Sequence, residues 1–100
     1  MNPDFNALIQ SEMPIVVDFR KTDCEPCSLL DPVLEQVKHI LEKRIEVVRV
    51  DADANPELAH QYRISYFPSL LLFQEGRLLW RQTGLMGKDE IIARILEHIS

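Results

Sequence analysis

Cys24 and Cys27 are the only cysteines of the chain, and they stand three apart in Cys24-Glu25-Pro26-Cys27. Thiols at that spacing can close a small disulfide ring and open it again, which is the raw material of dithiol–disulfide exchange. The tetrad lies where an apolar run, Ile15-Val16-Val17-Asp18-Phe19, gives way to Leu30, Val33, Leu34, Val37, Ile40 and Leu41 at helical spacing. The first cysteine therefore falls at the mouth of a helix, where free N–H groups and partial positive charge favour a thiolate. A thiolate attacks disulfide sulfur and a thiol does not, so Cys24 is the expected nucleophile. Cys27, one turn further in, is expected to be less exposed and to wait as a thiol. Pro26 suits the first turn, because its missing N–H would have no partner there. It also withdraws a donor that could stabilise the thiolate, which favours a more reducing couple.

Three acids stand close to this pair. Asp18 is a charged residue inside an apolar strand, and burying a carboxylate without a partner costs several kcal/mol, so it must protonate or find a cation. Its apolar neighbours favour a proton-transfer role over a solvated edge position. Asp23 and Glu25 flank Cys24 and repel its thiolate; at ~7 Å and near-water dielectric each contributes roughly 0.5 kcal/mol. The helix-end effect is of similar size and opposite sign, and Arg20 and Lys21 lie near enough to offset the acids. Asp23 also suits an N-cap. An Arg49–Asp18 pair would hold the Asp18 carboxylate ionised, because Arg keeps its proton.

These residues need elements to position them. Residues 3–12 read as a helix with Phe5, Leu8 and Ile9 on one side, ended by Pro14, and 15–19 as a buried strand. A long helix is expected over 24–43, with Pro32 inside it, followed by a strand over 44–51 parallel to the first across a helical crossover. Asn55-Pro56-Glu57 starts a short helix to about Tyr62. Ser69–Gln74 and Arg77–Thr83 form a hairpin about Glu75-Gly76, and a last helix runs from Lys88 to Ile99 with Ile91, Ile92, Ile95, Leu96 and Ile99 as its buried stripe. That order predicts an α/β fold: a mixed four-stranded sheet with helices on both faces, in one domain over residues 1–100.

A net charge of −5 argues against non-specific nucleic-acid binding and against an anionic membrane surface. No apolar run reaches the length of a membrane span, and Met1–Asn6 lacks the basic and apolar features of a secretory signal. The expected setting is the cytoplasm, where a cysteine pair is catalytic or metal-binding more often than structural. Zinc would need four ligands, and His39, His60 and His98 do not fall at zinc-finger spacing, so no metal is expected. Trp80 is expected to pack rather than to bind.

The chain resembles the thioredoxin family. The resemblance is carried by Val17-Asp18-Phe19, Cys24-x-Pro26-Cys27, Pro32, Val50-Asp51-x-Asp53-x-Asn55-Pro56, Tyr62-Arg63-Ile64, Phe67-Pro68-Ser69-Leu70, Phe73-x-x-Gly76 and Gly84, in order. It implies a thioredoxin-like fold, here without the usual first strand, which would leave the 45–50 strand at an exposed edge. It also implies reduction of protein disulfides through a mixed disulfide on Cys24, resolved by Cys27, with Asp18 exchanging the Cys27 proton and Pro68 as a cis-proline facing the cysteines. Substrate would lie against Asp23, Glu25, Pro26, Phe67, Gly84 and Leu85. Where the family often has Trp before the first cysteine and Gly after it, this chain has Asp23 and Glu25. The apolar rim is then supplied by Phe67, Pro68, Leu85 and Met86 inside an acidic border, which favours basic or neutral substrates. No bound cofactor is implied beyond the redox-active cysteine pair; electrons would come from NADPH through a flavin reductase of the thioredoxin-reductase kind, to a monomeric protein. The competing reading is a thioredoxin-fold binding or redox-sensing module.

Overall fold

The structure, a computed structural model, describes residues 3–99. Helix α1 (Pro3–Ile9) leads into strand β1 (Ile15–Arg20), helix α2 (Glu25–Leu41) and strand β2 (Glu46–Asp51). Helix α3 (Pro56–Gln61), strands β3 (Ser69–Gln74) and β4 (Arg77–Thr83), and helix α4 (Lys88–His98) complete the chain. The sheet order is β2-β1-β3-β4, with β1 parallel to β2 and the other neighbours antiparallel. The mixed α/β sheet is the expected one, and β2 does lie at its edge.

The central strands explain the two layers. Successive side chains of a strand point to opposite faces, and β1 and β3 are buried on both. Ile15, Val17, Phe19, Leu71 and Phe73 meet Phe5 and Ile9 of α1 and Leu58 and Ala59 of α3. Val16, Leu70 and Leu72 meet Leu30, Leu34 and Val37 of α2 and Ile91 and Ile95 of α4. Asp18 belongs by the same alternation to the α2 face, between Arg49 of β2 and Leu70 of β3. Trp80 is half-buried against this second layer, in the packing role expected of it.

Several boundaries and faces differ from expectation. The first helix stops at Ile9 rather than Glu12, because the Gln10 and Ser11 N–H groups donate to Ala7 and Leu8 carbonyls three residues back and tighten its end. The helix expected to reach Lys43 ends at Leu41 and passes into a 3-10 turn, Glu42–Arg44. Ile40, one of the helically spaced apolar residues, is 51% exposed, and Leu96, expected in the buried stripe of the last helix, is 44% exposed. Each neighbours a fully buried residue, Leu41 or Ile95, and one step along a helix turns a side chain about 100° away.

The β3–β4 turn is made by Glu75 and Gly76, both at positive φ (52° and 81°), the pairing that matches the twist of a hairpin. A side chain at Gly76 would meet the Gln10 amide at 2.6 Å, so this turn also seals the end of α1.

Candidate active site

The C-terminal end of β1 delivers the chain to Cys24. Arg20 closes the strand, residues 21–23 turn, and Cys24 is the N-cap of α2 in extended conformation (φ −115°, ψ 100°). Its Sγ accepts the Cys27 backbone N–H at 3.2 Å, one of the donors a helix start leaves unpaired. A disulfide joins Cys24 and Cys27. The two sulfurs differ in access: Cys24 is half-exposed, whereas Cys27 is 1% exposed. An external reagent can therefore meet the first sulfur and is shielded from the second.

Asp23 is not the helix cap. Its φ of 56° makes it the turning residue of the loop, and Cys24 occupies the cap position. Glu25 and Pro26, the first two helical residues, are both exposed, so Asp23 and Glu25 flank the half-exposed sulfur from solvent. A shallow open depression beside Cys24 is lined by Lys21, Asp23, Glu25 and Ser28. Asp53 accepts the Thr22 backbone N–H at 3.0 Å, which anchors this loop and holds the Asp53 carboxyl below its usual range.

Pro68 arrives from the other direction. Ser69, the first residue of β3, pairs with Phe19 near the end of β1 and with Thr83 at the end of β4. That register brings the Phe67–Pro68 peptide, which is cis, to the edge of the sheet from which Cys24 emerges. The loop is pinned by Ser69 Oγ donating to the Tyr66 carbonyl at 2.7 Å and by Gly84 N–H donating to the Pro68 carbonyl at 2.8 Å. Gly84 does this at a φ of 97°, a backbone shape that side-chain-bearing residues rarely adopt. Lys21 Nζ sits 5.4 Å from the centre of the Phe67 ring, tying the two loops together. Leu85 is 51% exposed beside Gly84. Met86, assigned to the same rim, is instead buried in the layer between sheet and helices α2 and α4. Tyr66, next to Phe67, is an exposed aromatic, 73% accessible.

On the α2 face of β1 lies Asp18, 1% exposed, with neither carboxylate oxygen hydrogen-bonded within the protein. Burial raises its pKa from 3.8 to about 6; Arg20 and Arg49 lower it in part and Asp31 raises it further. Of the two places open to Arg49, a pair with Asp18 or the surface of an edge strand, the structure shows the second, with the side chain half-exposed. Arg49 and Asp18 are cross-strand partners, yet the Arg49 guanidinium lies 3.5 Å from Asp31 Oδ1. Arg20 takes the nearer place, with Nη1 3.8 Å from Asp18 Oδ2, while its fork grips Asp31 at 2.5 and 3.3 Å. Sequence analysis did not bring out this cluster, although two spacings carry its signal. Asp18 and Arg20 are two apart on one strand, and Asp31 lies one helical turn after Cys27.

Among the described residues, no group of three or more His, Cys, Asp or Glu is placed to hold a metal ion, and no helix is long and apolar enough to cross a membrane. The family sequence pattern described as Thioredoxin matches residues 1–97. A thioredoxin-like protein of Synechocystis sp. is 39% identical over 88% of this chain and 84% of its own length. A bifunctional thioredoxin reductase/thioredoxin of Mycobacterium leprae is 34% identical over 88% of this chain, which spans only 19% of that protein. The solved structure of thioredoxin-2, described as a component of malaria parasite protein secretion machinery, superposes with a TM-score of 0.82 at 26% identity, covering 86% of this chain and 84% of that one.

Proposed function

The chain belongs to the thioredoxin family, whose members exchange thiols and disulfides, and on that premise we propose that it reduces protein disulfides through a mixed disulfide on Cys24. The observation that carries this reading is the unequal pair: one half-exposed sulfur on a helix cap, bonded to a sulfur that is buried.

In the reduced protein, the Cys24 thiolate attacks one sulfur of a substrate disulfide. That S–S bond breaks, a Cys24–substrate disulfide forms, and the departing substrate sulfur leaves with the electron pair and takes a proton from solvent. Cys27 then gives its proton to the Asp18 carboxylate and attacks Cys24 Sγ. The second substrate sulfur leaves as a thiol after protonation, and the Cys24–Cys27 disulfide remains. Substrate gains two electrons and two protons, and the cysteine pair supplies the electrons. Asp18 suits this step because burial keeps its proton affinity near neutrality, so it can accept a proton and later return it.

Around the cysteines, Phe67, Pro68 and Leu85 offer an apolar seat and Gly84 an open backbone, while Asp23, Glu25 and Asp53 are exposed acids. Pro26, at the exposed start of α2, belongs to the same seat. An extended substrate strand would lie on the Phe67 backbone. The acids outnumber Lys21, whose cation is drawn over Phe67, so basic or neutral substrates are preferred. Regeneration needs two electrons per turnover from a flavin reductase using NADPH; the reductase fused to the Mycobacterium leprae relative supports that donor. We place the activity in the cytoplasm, in a monomeric one-domain protein whose partners are disulfide-containing proteins.

Reduction of insulin coupled to a reductant tests the proposal. Turnover well above that of Cys24→Ser supports it, and turnover equal to that variant would leave a binding module as the better reading.

A further inference from the structure

The cluster over Asp18 contains more charge than a proton acceptor needs. Arg20 reaches the carboxylate only at 3.8 Å, beyond hydrogen-bond range, although its guanidinium has donors to spare. Asp31 holds it there. Both Asp31 oxygens accept from the two ends of the Arg20 fork, and Arg49 approaches Asp31 Oδ1 from β2. Asp18 meanwhile has no hydrogen-bond donor on either oxygen.

We propose that Arg20 and Asp31 are positioning residues that together set when Asp18 releases and takes a proton, Asp31 by diverting the Arg20 guanidinium and Arg20 by partly neutralising the site. The proposal rests on the reading of Asp18 as the proton acceptor for Cys27. The groups facing Asp18 are few. On its own strand there is Arg20; on β2, Arg49, with Asp51 beside Arg20 in register; on α2, Asp31, joined on the proposed reading by Cys27 once reduced; β3 presents only Leu70.

The two partners act in opposite senses. Asp31 is an anion near an anion, and its loss also frees Arg20 to close onto Asp18, so both consequences make Asp18 more acidic. Arg20 is the nearest cation, and its loss leaves Asp18 facing Asp31 with only Arg49 to compensate, so Asp18 becomes less acidic. A bridge that served only to hold α2 on β1 would behave otherwise, because breaking it from either side would loosen the same contact.

The test is the titration of the Asp18 side-chain carboxyl by carbon NMR in the oxidised protein, assigned by its absence in Asp18→Asn. Asp31→Asn should move the midpoint down by about one pH unit and Arg20→Gln should move it up by a similar amount, the scale expected of one unit charge at this range in a partly buried site. Asp31→Glu should return it towards the parent value. The acid limb of mixed-disulfide resolution should follow the same order. Midpoints that move in the same direction in both variants, or that stay together, would overturn the proposal. If Arg20→Gln does not fold, the Asp31→Asn and Asp31→Glu pair decides the sign alone. The titration involves no substrate, so it stands or fails separately from insulin turnover.

Discussion

Replacing Asp18 with Asn should stabilise the fold at neutral and alkaline pH relative to acid, by an amount the site itself sets. The carboxyl titrates near 3.8 when unhindered and at about 6 in the folded protein. A raised native pKa means that the folded state binds the proton more tightly than the unfolded chain, so the wild-type protein loses stability as pH climbs from about 4 through about 6. That interval, at about 1.4 kcal/mol per pH unit, corresponds to roughly 3 kcal/mol of destabilisation at pH 8, most of which is absent at pH 4. Asn copies the shape without the charge. The amide lacks good partners too, but that cost does not vary with pH. The difference between variant and parent should therefore rise by roughly 2–3 kcal/mol from pH 4 to pH 8, half of it gained by about pH 5 and nearly all of it by about pH 7. Urea unfolding of the oxidised proteins reads it directly: at slopes of about 1–3 kcal/mol/M, the variant's midpoint should gain roughly 1–3 M over the parent's between those pH values. Other titrating groups cancel in the difference. A flat difference curve, or one that falls as pH rises, would refute the claim that burial dominates at Asp18.

Three further outcomes follow from the same geometry. Cys27→Ser should leave Cys24 able to attack but not to be released, so mixed disulfides of one substrate chain per protein should accumulate and be visible on non-reducing gels. Cationic peptide disulfides should be reduced faster than anionic ones of equal length, and Glu25→Lys should narrow the gap, because Glu25 is exposed on the first turn of α2; a preference for the anionic peptide would sink the acidic-border argument. Leu71→Ala, at a fully buried position of the central strand β3, should cost about 2–5 kcal/mol in urea unfolding without moving the Asp18 midpoint, since it faces α1 and α3 rather than α2.

The strands, the parallel β1–β2 pair and the β3–β4 hairpin were legible because the signals were strong and local, whereas the β1–β3 pairing that joins them was not. Leu70, Leu71, Leu72 and Phe73 run without a break, as a strand covered on both faces must, and Glu75-Gly76 marks the turn beyond it. The cysteines were legible by spacing, and their unequal exposure follows from their places on the first turn of α2. Boundaries at Ile9 and Leu41 were not: bonds closing back three residues end the first helix, Glu42 at a φ of 47° ends the second, and no single residue type announces either. Met86 was misplaced because an apolar residue after a glycine break can face outward or inward, and only the docking of α4 decides which. The charged cluster was half legible. The Asp18–Arg49 proximity follows from parallel register, but which anion captures which guanidinium depends on α2 bringing Asp31 over the strand ends, a tertiary fact.

The central claim is that the helix-capping sulfur is the reactive one and its partner the reserve. Alkylation of the reduced protein with iodoacetamide across pH, with each cysteine followed by peptide mass, measures this directly. Cys24 should react faster than an unstructured cysteine peptide near neutral pH, with a midpoint below the ordinary thiol value of about 8.5, and Cys27 should lag far behind it. Equal rates at the two sulfurs, or a Cys24 no faster than the peptide, would contradict it.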